Sequence, residues 1–216
     1  MGAYIELVDL CKSYKTIPVV DHISLSFEKG KCYGIVGRNG SGKSVLLKLI
    51  AGYAVPDSGK VIIQGKQVKK DIDFIQNAGV VINSPQFISS MSGIDNLKFL
   101  ADIRGLITED TIWETLKLLE LADSAKKKVK TYSEGMRQRL RIAQAIMENP
   151  EILLLDEPMN SLDQQGVLLV RNLLKGYVSR GNTILFTSHL KEDMEELADE
   201  VYEIDAGHIS RPAAVK

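Results

Sequence analysis

The chain has 216 residues, 44% of them hydrophobic and 25% charged, with a formal net charge of −1. That length accommodates one packed domain with room for an inserted lobe and not two independent ones, and the charge balance removes the electrostatic case for nucleic acid or an anionic membrane surface. The longest apolar runs, such as Ile152 to Leu155, fall far short of the roughly 20 residues a membrane-spanning helix needs, so any membrane part is expected on another chain.

In chain order, MGAYIELVDL carries Glu6 and Asp9 and lacks the basic-then-apolar order of a signal peptide. Residues 3–10 and 23–28 alternate apolar and polar, which predicts half-exposed antiparallel strands, with a turn region between them holding Tyr14 and Pro18. Cys11 and Cys32 fall in these strand regions without metal-type spacing. They are expected to be buried, reduced thiols of a cytosolic protein, with no zinc site.

Lys31 to Val36 reads as a buried strand, and Val45 to Ile50 as a helix. Between them Gly37 to Ser44, GRNGSGKS, fits the phosphate-loop spacing of Gly, four residues, Gly, Lys, Ser. Glycines there let backbone N–H groups turn toward phosphate oxygens, and the helix N-terminus adds partial positive charge. Gly37, Asn39, Gly40, Ser41, Gly42, Lys43 and Ser44 are the candidate nucleotide contacts, with Lys43 for the β- and γ-phosphates and the Ser44 hydroxyl for Mg²⁺.

A turn at Val55 to Gly59 leads into a strand at Lys60 to Gln64, and Gly79 to Ile82 is a further short strand. From Gly93 to about Met147 apolar residues recur at three- and four-residue spacing, the pattern of an inserted helical lobe at about 85–147; Lys126, Lys127, Lys128 and Lys130 after its first part read as a solvated face. The last third alternates strand and helix: Glu151 to Leu155, Val167 to Val178, Thr183 to Thr187, Asp193 to Leu197 and Val201 to Ile204. The expected fold is α/β, one domain over 1–216, with 1–84 and 148–216 forming a mainly parallel sheet plus an antiparallel part.

ILLLDE at 152–157 is an apolar strand ending in two carboxylates at the C-terminal tip, where ligands of parallel sheets sit. Asp156 is placed to hold Mg²⁺ and Glu157 to take a proton from an attacking water. YSEGMRQRL at 132–140 stands just ahead of it.

Together, GRNGSGKS, YSEGMRQRL, LLLDEP, Ser161-Leu162-Asp163 and His189 resemble the nucleotide-binding subunit of an ATP-binding cassette (ABC) transporter, over nearly the whole chain. The Ser-x-Gly core at Ser133 and Gly135 separates this family from other phosphate-loop proteins. The resemblance implies that ATP, with Mg²⁺, lies between two subunits, with Ser133 and Gly135 of one capping the γ-phosphate held by the other, so a homodimer is expected. It also implies that Asp163 couples the two sites, that His189 positions the γ-phosphate and water, and that Tyr14 stacks on adenine. The partners it implies are a second ATP-binding subunit and a separately encoded transmembrane permease, with the chain peripheral on the inner face of the cell membrane and no direct nucleic-acid contact.

The family's switch loop offers a Gln or Glu to the metal and water; here the run is Val80-Val81-Ile82-Asn83-Ser84-Pro85-Gln86. It aligns Asn83 with that position, Gln86 being the rival, and together with SGIDNL at 92–97 it resembles the export-type branch that includes bacitracin and lantibiotic resistance proteins. Glu134 and Met136 replace the common Gly and Gln of the signature. The expected function is the ATPase subunit that powers an exporter; the alternative is a soluble ABC ATPase acting on DNA or ribosomes, whose usual coiled-coil insertion or second cassette is not in this chain.

Overall fold

A computed structural model describes residues 3–83 and 86–211. The 84/85 joint of the expected lobe boundary lies outside them. In chain order the elements are β1 (Ile5–Tyr14), β2 (Ile17–Phe27), β3 (Cys32–Val36), α1 (Lys43–Ala51), β4 (Ser58–Ile63), β5 (Lys66–Gln67), β6 (Ala78–Val81), α2 (Gly93–Arg104), α3 (Glu109–Leu118), α4 (Glu134–Ile146), β7 (Ile152–Asp156), α5 (Gln164–Ser179), β8 (Thr183–Ser188), α6 (Lys191–Leu197), β9 (Glu200–Asp205) and β10 (His208–Ser210). Two short 3₁₀ turns, Ala122–Ser124 and Val129–Thr131, precede α4.

The strands form two sheets, an antiparallel one in the order β2-β1-β4-β5 and a six-stranded one in the order β10-β9-β3-β8-β7-β6. In the second, β9, β3, β8, β7 and β6 run parallel and only β10 is antiparallel. This is the α/β architecture that the alternation of strands and helices predicts.

The central strands are buried on both faces, which is why they read as unbroken apolar runs. Their side chains alternate between two cores. Ile152, Leu154 and Leu185 join α1 and the antiparallel sheet on one side. Leu153, Leu155, Ile184 and Phe186 join α2, α3, α4 and α5 on the other. Each such fully buried side chain contributes about 1.5–3 kcal/mol, so the strand that ends in Asp156 and Glu157 is held rigidly from both sides.

The expected turn region holding Tyr14 and Pro18 narrows to a two-residue turn at Lys15-Thr16: β1 and β2 run right up to it, Tyr14 pairing with Ile17 and Ser13 with Pro18. Pro18 is tolerated because β2 is an edge strand whose other side needs no N–H donor. Strands β5 and β10, of two and three residues, are too short to leave a periodic signal.

Two close approaches fix the helices on the sheet. A Cβ at Gly34 would lie 2.2 Å from the Met194 sulfur on α6, and one at Gly79 only 1.9 Å from the Ala145 carbonyl oxygen on α4. Helix α5 is tied to α6 by a buried ion pair, Arg171 Nη2 to Asp193 Oδ1 at 2.6 Å, and the Ser188 hydroxyl donates to the other Asp193 oxygen at 2.6 Å.

Candidate nucleotide site

The loop between β3 and α1 curls around its own lysine. Lys43 Nζ donates to the carbonyl oxygens of Gly37 at 2.7 Å and Arg38 at 3.2 Å, and lies 3.6 Å from Glu157 Oε1. Glycine is required at Gly42, which has φ +111° and whose added Cβ would sit 2.4 Å from the Val19 carbonyl oxygen. At Gly40, φ is +83° and nothing lies within 4 Å of an added Cβ, so this part of the loop faces open space. Ser41 is buried, and its hydroxyl oxygen has no hydrogen-bond partner among the described residues. A buried hydroxyl of that kind costs about 1–3 kcal/mol, a cost that a phosphate oxygen accepting from it would offset.

The two carboxylates at the tip of β7 are organised by one hydroxyl. Thr187 on β8 is fully buried; its Oγ1 donates to Asp156 Oδ1 at 2.7 Å and accepts from the Glu157 N–H at 2.9 Å. Asp156 Oδ2 accepts from the Ser44 hydroxyl at 2.7 Å, and the Asn83 backbone N–H approaches the same oxygen at 3.4 Å. Glu157 adopts φ +49°, a left-handed conformation costing about 1–3 kcal/mol for a residue with a side chain. Gln138 on α4 helps hold that turn, its amide donating to the Pro158 carbonyl at 3.0 Å. Glu157 Oε2 meets His189 Nδ1 at 2.9 Å.

The donor set of Ser44 and Asp156 is all oxygen, which suits a hard cation such as Mg²⁺ and not a thiophilic one. These residues border an open cleft of ≈ 200 Å³ lined by Val19, Asn39, Gly40, Gly42, Lys43, Ser44, Asp156 and Glu157.

The remaining candidates stand apart. Ser133 is exposed at the N-terminus of α4, where its hydroxyl caps the helix by accepting from the Met136 N–H at 3.2 Å. Gly135 follows it, and an added Cβ there would lie 3.0 Å from the Ser161 carbonyl oxygen. Asp163 caps α5 by accepting from the Gly166 N–H at 2.8 Å and faces Arg139 Nη2 at 3.6 Å. Ser133, Gly135 and Asp163 therefore form a second group, none of which lines the cleft. Tyr14 is 48% exposed at the hairpin tip with Lys12 Nζ 5.6 Å from its ring centre, and it does not line the cleft either. Asn83 and Gln86 are both exposed; Asn83 has φ +53° and reaches Asp156 through its backbone, not its amide.

Three residues escaped sequence reasoning. Thr187 left only the faint signal of a hydroxyl inside an apolar strand, Gln138 was hidden within the signature, and Val19 gave none.

Residues 20–160 match the family model described as ABC transporter. The chain is 42% identical over 205 residues to the ABC transporter ATP-binding protein YybJ of Bacillus subtilis, covering 95% of this chain and 94% of that one. It is 38% identical over 211 residues to the bacitracin transport ATP-binding protein BcrA of Enterococcus faecalis, covering 97% and 68% of the two chains. To the lantibiotic transport ATP-binding protein SrtF of Streptococcus pyogenes it is 34% identical over 206 residues, covering 95% and 88%. Among solved structures, a dimeric post-hydrolysis state of the ATP-binding cassette MJ0796 bound to ADP and Pi superposes with a TM-score of 0.85 at 24% identity, covering 97% of this chain and 99% of that one. The family match and the near full-length relatives agree with the geometry of the cleft: this chain belongs to the ABC transporter family, as one of its ATP-binding subunits.

Proposed function

We propose that the chain hydrolyses ATP, as one of two identical copies, to drive a membrane exporter. The observation that carries this reading is the joining of Ser44, Asp156, Thr187, Glu157 and His189 into one hydrogen-bonded set beside the phosphate loop.

The loop N–H groups, the Ser41 hydroxyl and Lys43 would bind the triphosphate, the lysine exchanging its carbonyl partners for phosphate oxygens. Magnesium, when bound by Ser44 and Asp156, would neutralise charge on the β- and γ-phosphates. Glu157 acts as general base, taking the proton of the attacking water as its oxygen bonds to the γ-phosphorus and the bridge to ADP breaks. His189 orients the Glu157 carboxylate. Thr187 keeps the two carboxylates in fixed relation, and the Asn83 segment, or Gln86 beside it, senses the metal side of Asp156.

Ser133 and Gly135 are exposed or half-buried away from the cleft, which supports their use on the nucleotide of a second copy, with Asp163 at the same face. Tyr14, exposed at the tip of the hairpin that carries Val19, is the residue proposed to stack on the base. No helix among the described residues is long and apolar enough to cross a membrane; the transport roles named for the relatives support a partner permease that holds the chain at the inner membrane face. The exposed apolar side chains of Tyr53 and Ile103, at an open groove of ≈ 240 Å³ also lined by Leu100, Arg104, Met147 and Glu148, support that groove as the partner's surface. The transport roles named for the bacitracin and lantibiotic relatives support the transporter reading over an ATPase of DNA or ribosomes.

The test is Glu157→Gln. Turnover is expected to fall about 10²- to 10⁴-fold, the contribution of a general base, while calorimetric ATP binding persists. Equal turnover of variant and wild type would remove Glu157 from this role.

A further inference from the structure

The strand-bound cysteines were expected to be inert, yet Cys11 is only half-buried. Bulges in the β1–β2 ladder on either side of Leu10 re-aim Asp9 and Cys11, and β2 brings Asp21 and His22 against them. One donor atom each from Cys11, Asp21 and His22 lies within 4.8 Å of the others. The His22 backbone N–H donates to the Cys11 sulfur at 3.3 Å. Two of the three histidines in the chain are here: His22 Nε2 lies 3.9 Å from Asp21 Oδ1, and His208 Nε2, on β10, lies 3.4 Å from Asp21 Oδ2.

The ring of His22 is already set for ligation. Its Nδ1 is 2.7 Å from Asp9 Oδ1, the carboxylate partner that orients metal-binding histidines and leaves the other nitrogen free. We propose that Cys11, Asp21 and His22 bind a borderline divalent cation of the zinc class, with water completing its shell. Ligand atoms around tetrahedral zinc at about 2.0–2.3 Å stand about 3.3–3.8 Å apart, so the donors close by about an ångström through exposed side chains. A mixed sulfur, nitrogen and oxygen set selects against magnesium and calcium. This site is separate from the oxygen-only set of Ser44 and Asp156, and it would join β1 to β2 within the antiparallel sheet.

The test uses purified full-length protein titrated with ZnCl₂, and with CoCl₂ as a spectroscopic probe. Wild type should bind one equivalent of zinc that Cys11→Ser and His22→Gln lose or hold at least about 10-fold more weakly. The cobalt form should show a thiolate-to-cobalt charge-transfer band that Cys11→Ser abolishes. Asp156→Asn should keep both the equivalent and the band, which separates this site from the nucleotide cleft. Unchanged thermal unfolding of the metal-free variants shows that they fold. Zinc affinity equal in wild type, Cys11→Ser and His22→Gln, or a cobalt spectrum without the thiolate band, would reduce the cluster to an ordinary surface ion pair and overturn the proposal.

Discussion

The phosphate-loop group and the signature group use the same residue chemistry in opposite ways. Around the loop, Lys43, Ser44, Asp156, Thr187, Glu157 and His189 are joined across two strands and a helix by side-chain contacts and the Glu157 N–H. At the signature, Ser133 and Asp163 spend their oxygens on the first turns of their own helices. One group is a network that depends on long-range folding, and the other is a pair of local caps with one face turned to solvent. In the proposed dimer, a site would thus be half prepared by the fold of one chain and half presented on the surface of another.

The strongest break in this contrast is Thr187→Val, which keeps shape and removes the hydroxyl that joins Asp156 to Glu157. Orphaning two partly buried groups should cost about 2–4 kcal/mol, read by denaturant unfolding; wild-type stability would show that the hydroxyl bridges nothing of consequence. Lys43→Ala comes next. Losing charge-assisted bonds of about 1.5–3 kcal/mol should weaken ATP binding by about 10- to 100-fold, measured by titration calorimetry.

Ser133→Ala should leave ATP binding by the dilute chain unchanged and cost about 1 kcal/mol of stability through the lost cap. Hydrolysis per subunit in wild type should fall on dilution; a constant rate far below the dimerisation range would contradict the division between the two groups.

The smallest effect lies at the far end of the sheet and serves as a control. The Lys29 ammonium and then the Tyr4 hydroxyl hold the Glu151 carboxyl below its ordinary value, while burial and Glu151 raise the Tyr4 phenol to about 12. A lowered carboxyl stabilises the fold fully above its unfolded value and loses that contribution as the pH falls through its folded one. With Glu151 40% exposed, the contribution is under about 1 kcal/mol. Glu151→Gln should flatten the acid side of the stability profile slightly and leave ATP binding untouched.

The sequence made the loop, the acidic strand tip and the signature legible because each is contiguous and each carries its chemistry within a few residues. Thr187 could not be found that way. Its role exists only where β8 lies beside β7, a long-range pairing that no local spacing records. The turn between the first two strands was legible but not its tightness: register with β1 carries strand to both sides of Lys15-Thr16. The Cys11 cluster is likewise spread over two strands, so the spacing rules for metal sites pass over it.

The contact between Gly79 and Ala145 has a mechanical consequence. With the space of a Cβ already filled to 1.9 Å, β6 and the last turn of α4 meet without clearance, and close-packed interiors transmit displacement instead of absorbing it. Helix α4 begins just after its cap Ser133, and β6 leads through Ile82 to Asn83. A tilt imposed on the signature end by a second subunit would therefore be delivered to the Asn83 end with no backlash, and Gly79→Ala would act as a wedge in that bearing.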